Sequence, residues 1–230
     1  MTLIKQGFFM IDPALINFLE ELAQNNNKPW FEEQKPCFKK LDSDFKSFAA
    51  IMATNLNQHD VIERAKTFRI YRDIRFSKDK TPFKTHFSIN WIRAGLERRG
   101  GYFMRVKPHE HVIGIGFFAP EKEDLLRIRK EIELDAKEFR SLCNEDTFKK
   151  CWGKLLGDQL KTAPRNFNKT HPDMDLIKFK SFYFMKSFTD KEVRNEDFSA
   201  VVNDSFKTAR PFLDYMTDVL NTNLNGECLL

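Results

Sequence analysis

Hydrophobic spacing predicts helices at both ends of the chain. Asp12 followed by Pro13 is typical of a helix start, with an N-cap and a proline at the first helical position. The apolar stripe that follows has helical spacing and ends at the asparagine run 25–27. A second stripe begins after the KPWF segment 28–31, with Pro36 near its start, so the N-terminal quarter is predicted to be a helical hairpin. A last helix is predicted from about residue 196, kinked or split at Pro211.

The middle of the chain changes to an alternating period. Residues 102–106 and 111–117 alternate apolar and other side chains and predict two strands joined through 108–110. Segments 86–92 and 181–188 predict two more. Between them, Pro120 and a run of acidic residues open one long helix, which is followed by a short helix around 145–156 and a loop over 162–173. Helices at both ends and a largely antiparallel sheet between them predict an α+β fold, formed as a single domain over 1–230.

Composition narrows the class of protein. The chain has 230 residues, enough to bury a substantial core, and no apolar stretch approaches the length of a membrane span. The apolar patch at the N-terminus is too short and too interrupted for a signal peptide. Four cysteines without paired spacing argue against a disulfide framework or a structural zinc site, so we expect a cytoplasmic protein.

Positive charge is concentrated in one segment. Residues 69–99 contain nine cations against three acidic residues, a local charge of +6, although the whole chain carries +5. A localised positive field is what an anion-binding surface requires. The centre of this segment, FRIYRDIRFSKDKTPFKTHF (68–87), interleaves cations with apolar residues, which neither a solvated charge run nor a buried strand would favour.

We first interpret 68–76 as a strand, which places Arg72 in the middle of an otherwise apolar face. A guanidinium there must meet either an internal carboxylate or a ligand anion, because an unpaired buried charge costs several kcal/mol. The following turn adds ammonium and hydroxyl groups suited to phosphate or carboxylate oxygens. The predicted ligand-binding set in this stretch is Arg69, Arg72, Arg75, Ser77, Lys78, Asp79, Lys80 and Lys84.

The same residues have a structural interpretation. Asp73 and Asp79 could pair with Arg72 and Arg75 and leave the lysines solvated, in which case the run is an ion-pair network of small energetic value. In the functional interpretation, His86 is the candidate proton-transfer group, and Asp73 is a second catalytic candidate that would also orient the cations.

The central run resembles the signature of a bacterial family, the domain of unknown function 2461, whose members carry RDxRFSKDKSPYK-like runs. The resemblance extends over nearly the whole chain, through NNKPWF (26–31), GYFMRV (101–106), GIGFFAP (114–120) and APRNF…HPD (163–173). It implies an α+β domain and no established reaction or cofactor. Phe83 stands where relatives often have Tyr, and Asn166 stands where they have Gly, a turn that Asn tolerates.

Three further features offer chemistry. Gly114 and Gly116 share one strand face and could form a ligand floor, although a bulge or close packing explains such a pair equally well. Arg165 lies in a second basic loop that could contribute to the same anion site. The His109–Glu110–His111 segment could bind a metal, but it sits at a predicted hairpin tip with no third ligand in view, so we predict no metal.

These observations leave three hypotheses. The first is binding of an anionic small molecule at the basic stretch. The second is nucleic-acid binding, extended by Arg93, Arg98 and Arg99, which the low overall charge counts against. The third is a structural module whose basic stretch is an internal ion-pair network. None of them specifies a cofactor, a membrane partner or an oligomeric state.

Overall fold

The computed structural model describes residues 10–230 of the chain and shows an α+β fold. Most of the apolar N-terminal patch that bears on the signal-peptide prediction lies outside these residues. The described helices are α1 (Pro13–Gln24), α2 (Lys28–Glu33), α3 (Lys35–Leu56), α4 (Lys122–Leu134), α5 (Lys137–Asn144), α6 (Asp146–Trp152), α7 (Met174–Ile177), α8 (Asp190–Val193), α9 (Phe198–Thr208) and α10 (Arg210–Asn221). The strands are β1 (Ile62–Thr67), β2 (Phe87–Arg93), β3 (Gly101–Val106), β4 (His111–Phe117) and β5 (Phe182–Phe188).

The five strands form one antiparallel sheet in the order β1-β2-β3-β4-β5. Strands β2 to β5 are those that the alternating pattern predicted, and β1 was not predicted. The chain divides into two compact units, one made of Met1–Trp91, Phe103–Ile113 and Ser187–Asp204, the other of Ile92–Tyr102, Gly114–Lys186 and Ser205–Leu230. Our expectation of a single domain stays a prediction.

The first unit contains the predicted N-terminal helical hairpin. Helix α1 begins as predicted, because the Asp12 side chain accepts a hydrogen bond from the Ala14 amide at 2.8 Å and Pro13 occupies the first turn. Asn27 caps the unpredicted helix α2 by accepting from the Trp30 amide at 3.0 Å. Phenyl rings fill the core of this unit, and Phe31 stacks on Phe83 with ring centroids 4.0 Å apart.

The second unit has its own aromatic core, in which Phe212 packs against Phe184 and Phe139 at centroid distances of 5.2 and 6.0 Å. The single helix that we predicted after Pro120 is wrong: α4 ends at Leu134 and α5 starts at Lys137. Asp135 causes the break, because its carboxylate accepts from the Lys137 amide at 2.8 Å and forms a turn in place of a helical hydrogen bond. The predicted division at Pro211 is confirmed, with α9 ending at Thr208 and α10 starting at Arg210.

Candidate functional site

The basic stretch is an irregular hairpin, so the strand that we predicted over 68–76 is wrong. The chain turns back on itself, with the Arg72 amide donating to the Pro82 carbonyl at 2.9 Å and the Lys84 amide donating to the Ile70 carbonyl at 2.7 Å. A single isolated bridge joins Tyr71 to Phe83. The expected apolar face does not form either, since Ile70 is buried while Phe76 is 97% exposed.

Two aspartates interrupt the strand. Asp73 accepts from the Arg75 amide at 3.2 Å, and Asp79 accepts from the Thr81 amide at 2.9 Å, so each makes a turn over the next two residues. These turns compete with a strand ladder, and Pro82 has no amide to donate to one. We call residues 71–81 the loop tip.

The arginines of the loop tip are paired within it. Arg72 forms an ion pair with Asp79 and a hydrogen bond to the Thr81 hydroxyl, and its side chain is 26% exposed. Arg75 forms an ion pair with Asp73 at 2.7 Å. Lys80 donates to the Ile74 carbonyl at 3.0 Å. The pairs that the structural interpretation expected are therefore present, although both are solvent-exposed at the carboxylate.

The pairing fixes the protonation of both carboxylates. The Thr81 amide, the Arg72 guanidinium and the Thr81 hydroxyl lower the pKa of Asp79 to about 2. The hydrogen bond from Arg75 lowers the pKa of Asp73, so this candidate catalytic group stays a carboxylate at neutral pH and is suited to orienting cations. Ser77 and Lys78 belong to the same exposed tip, where Ser77 donates its amide to the Ile74 carbonyl at 3.3 Å.

The base of the hairpin is anchored to the N-terminal helices. The Asn26 side chain donates to the Phe83 carbonyl at 3.0 Å and accepts from the Phe83 amide at 3.1 Å. Phe83 itself is 3% exposed and stacks on Phe31. The NNKPWF and RDIRFSKDKTPFK segments, which are far apart in the sequence, therefore meet through one buried phenyl ring and a two-hydrogen-bond amide contact.

Cations gather at this base from three separate parts of the chain. Lys84 lies close enough to Arg69 for that charge to lower its pKa, after the larger effect of burial. Burial and then Arg105, Lys84 and Lys107 lower the pKa of His86 to about 4. The imidazole of His86 is therefore neutral at pH 7. We call Arg69, Lys84, His86, Arg105 and Lys107 the basal cluster.

Carboxylates are scarce at the basal cluster. Within residues 10–230, neither Arg69 nor Lys84 has an ion-pair partner, while Lys107 pairs with Glu110 at 2.5 Å. Arg105 reaches Glu110 only at 3.9 Å. Its Nε is buried and, among the described residues, has no hydrogen-bond partner. A buried donor of this kind costs free energy until an acceptor meets it.

The sequence did not single out Arg105 or Lys107. Arg105 occupies the face of β3 opposite to the buried Tyr102, Met104 and Val106, a position that the strand alternation does predict. What the sequence lacked was the pairing of β3 beside β2, which is a long-range contact. Arg105 was therefore predictable as an outward-facing strand residue, but its place beside His86 was not.

The other predicted site residues lie in the second unit. A Cβ added at Gly116 would collide with the Phe182 carbonyl of β5, and one at Gly114 would lie 3.2 Å from the Phe184 carbonyl. These approaches favour the close-packing interpretation of the two glycines. Arg165 is exposed, and Asn166 beside it has a φ of 67°, the left-handed turn that we expected asparagine to tolerate. Their ligand roles stay predictions.

A cavity of about 210 Å³ lies elsewhere in the first unit, between α1 and α3. It is lined mainly by apolar side chains, and the charged residues at its wall are Asp12 and Asp44. An anion would be repelled by both, so this cavity does not suit the ligand class that the basic stretch predicts.

Fold and site together define an α+β protein with a partly compensated cationic cluster at the base of an irregular hairpin. The family model described as Conserved hypothetical protein (DUF2461) matches residues 14–215, and the chain belongs to this family. The resemblance noted in the sequence is thereby confirmed. No curated protein and no solved structure matches the chain significantly. Within the described residues, no helix is both long enough and apolar enough to cross a bilayer.

Proposed function

We propose that the protein binds an anionic small molecule, carrying phosphate or carboxylate oxygens, at the basal cluster. The observation that carries this proposal is the buried Nε of Arg105, which lacks an acceptor among the described residues and lies in a positive field. An anion oxygen would satisfy that donor, and a guanidinium can offer a second donor to the same group.

The remaining residues of the cluster have distinct roles in the proposal. Arg69 and Lys84 supply positive charge and form no direct ion pair within residues 10–230, although Asp73 is close enough for Arg69 to lower its pKa. His86 is neutral and can donate one N–H or accept one, so it is the candidate proton-transfer group. A bound anion would raise its pKa, because it would compensate the cations that lower it, while the larger effect of burial would remain.

The loop tip contributes less to this proposal than the sequence suggested. Arg72, Arg75 and Lys80 already have partners, so a ligand would have to displace Asp79, Asp73 or a backbone carbonyl. We do not extend the proposal to nucleic acid, because the arginines expected to widen the basic surface are compensated. Arg93 pairs with Asp214, Arg98 with Glu97, and Arg99 with Asp124.

The test is a calorimetric titration with inorganic pyrophosphate and with citrate at constant ionic strength. We expect one of these anions to bind, and Arg105→Gln to weaken it by about tenfold or more, since a hydrogen bond to a charged group contributes about 1.5–3 kcal/mol. Arg75→Gln removes the same charge from the loop tip and is the matched control, expected to leave affinity unchanged. Absence of binding by both anions, or equal weakening by the two variants, would refute the proposal.

A further inference from the structure

A second cluster of ligand-type side chains lies in the first unit at the turn between β3 and β4. The Nδ1 of His109, in that turn, is 2.7 Å from Oδ2 of Asp190, the first residue of α8. The Nε2 of His109 is 3.6 Å from Oε1 of Glu20 on α1. One ligand atom from each of these three residues lies within 4.8 Å of the other two. The fold therefore places two carboxylates beside His109 that the sequence did not indicate.

Asp190 is held in place by two further donors. Its Oδ1 accepts from the His109 amide at 2.9 Å and faces Nε2 of His111 at 2.6 Å. Its other oxygen, Oδ2, is directed towards the His109 ring. Metal-binding carboxylates are commonly fixed in this way by hydrogen bonds to the oxygen that does not bind the metal.

A second observation concerns the buried ring of His111, which contacts Asp190. Its side chain is 1% exposed, and its Nδ1 has no hydrogen-bond partner among the described residues. One nitrogen of this buried ring therefore holds Asp190 while the other is unsatisfied among the described residues, and a buried unsatisfied group of this kind needs an explanation.

We propose that Glu20, His109 and Asp190 bind a divalent transition-metal ion of the Zn²⁺ class, with His111 as the positioning residue for Asp190. Ligand atoms bound tetrahedrally to Zn²⁺ lie about 3.3 Å apart, and those of the three residues lie within 4.8 Å of one another. His109 now contacts Asp190 through Nδ1 and Glu20 through Nε2, so its ring must turn to offer a single nitrogen to the ion. Small adjustments suffice to reach that geometry, because the His109 side chain is 74% exposed and Glu20 is half-buried on a helix surface. Three protein ligands leave a coordination position for water or an exogenous ligand.

The donor set selects the class of metal. Imidazole nitrogen with carboxylate oxygens suits Zn²⁺, Fe²⁺, Mn²⁺ and Ni²⁺, whereas Mg²⁺ and Ca²⁺ prefer sites made of oxygen alone. Two carboxylates also balance the charge of a divalent ion. The competing arrangement has no metal: the ring of His109 then lies between Asp190 and Glu20 as an ordinary surface contact. This inference is independent of the anion site proposed above.

A titration of the full chain with Zn²⁺, after removal of any purification tag and treatment with a chelator, distinguishes these arrangements. We expect one Zn²⁺ per chain and an affinity reduced by about tenfold or more in both His109→Ala and Glu20→Gln. Glu21→Gln, which removes the same charge from the adjacent exposed residue of α1, is the matched control and should bind as the wild type does.

Mg²⁺ is titrated in parallel and should not compete with Zn²⁺ at equal concentration. Circular dichroism confirms that each variant is folded, and both test substitutions fall on partly exposed side chains that should tolerate them. Failure of Zn²⁺ to bind the wild type would overturn the proposal. So would Zn²⁺ binding that is unchanged in both variants, because the ion would then be held elsewhere, for example by the exposed thiols of Cys37 or Cys228.

Discussion

The loop tip is one end of the hairpin and the basal cluster surrounds its other end, and the two regions differ in how their positive charge is compensated. In the tip, each arginine has a carboxylate partner a few residues away, Asp79 for Arg72 and Asp73 for Arg75. At the base, Arg69 and Lys84 have no such partner among residues 10–230. A count of cations along the sequence therefore overstates the unpaired positive charge of the tip relative to that of the base.

The difference has a simple origin in chain connectivity. The aspartates of the tip sit two residues before the amides that they cap, so local turns bring them to the arginines at little entropic cost. The basal cluster is assembled from the segments 69, 84–86 and 105–107, and none of these contributes an acidic residue to it. Charge brought together by long-range contacts is compensated only if the fold also brings an acid. Among the described residues, Glu110 pairs with Lys107, and Asp73 acts on Arg69 from a longer distance.

The largest effect on stability is expected at Phe83, which holds the hairpin against the N-terminal helices. Phe83→Ala removes a ring that is 3% exposed and stacked on Phe31, so we expect the free energy of unfolding to fall by about 3–5 kcal/mol in a urea titration. Phe76→Ala, in the tip, removes a ring that is 97% exposed and should change it by less than about 0.5 kcal/mol. Comparable losses would show that the hairpin is not anchored through Phe83.

Hydrophobic patterns predicted most of the elements and failed where a local hydrogen bond from the backbone to an aspartate ends an element. The Asp12–Pro13 start of α1 and the alternation of β3 and β4 are properties of adjacent residues, and both are confirmed. The predicted strand over 68–76 was wrong, because the aspartates at 73 and 79 offered the backbone turns that a hydrophobic pattern does not reveal. The break between α4 and α5 has the same cause at Asp135.

The candidate sites were predictable only in part. Arg69, Lys84 and His86 stood out because the run from 68 to 87 is unusual in itself. Arg105 did not, since one arginine on a strand face is ordinary until β2 lies beside it. Glu20 and Asp190 carried no signal at all, because they are separated from His109 by long stretches of chain and follow no spacing rule.

The second largest effect is expected in the basal cluster, where His86 should make the stability of the protein depend on pH. His86 has a pKa of about 4 in the folded chain against 6.5 when unfolded, so the unfolded state takes up its proton first as the pH falls. Burial of the neutral ring therefore has no effect on stability above pH 6.5, and it lowers the free energy of unfolding as the pH falls from 6.5 to 4. The loss is at most about 3 kcal/mol, and it is smaller than this because the ring is partly exposed. His86→Gln should remove this part of the loss, measured by urea unfolding at pH 7 and pH 4.5.

The same measurement in saturating pyrophosphate or citrate tests whether an anion binds next to His86. If an anion occupies the basal cluster, the folded pKa of His86 rises and the wild type loses less stability on acidification, so its profile approaches that of His86→Gln. An identical slope in the wild type and the variant, with no anion added, would show that His86 does not titrate in this window.

A smaller effect on stability is expected from Asp79 in the loop tip, and it should occur at lower pH. Asp79 has a pKa of about 2 in the folded chain against 3.8 unfolded, so its contribution is complete above pH 3.8 and is lost as the pH falls towards 2. Asp79→Asn should therefore be slightly less stable than the wild type at pH 7 and should converge with it near pH 2. Convergence already at pH 5 would assign the effect to another group.

The smallest effect is expected at Arg75. Its ion pair with Asp73 joins two side chains that are 76% and 46% exposed, so water and salt screen most of the attraction. Arg75→Gln should leave the urea midpoint unchanged within error at 50 mM and 500 mM NaCl. Arg72→Gln, at a side chain only 26% exposed, should lower the midpoint, because it leaves Asp79 and Thr81 without the donor between them. If instead Arg75→Gln destabilises the protein as much as Arg72→Gln does, the tip is a cooperative network whose members cannot be ranked by exposure.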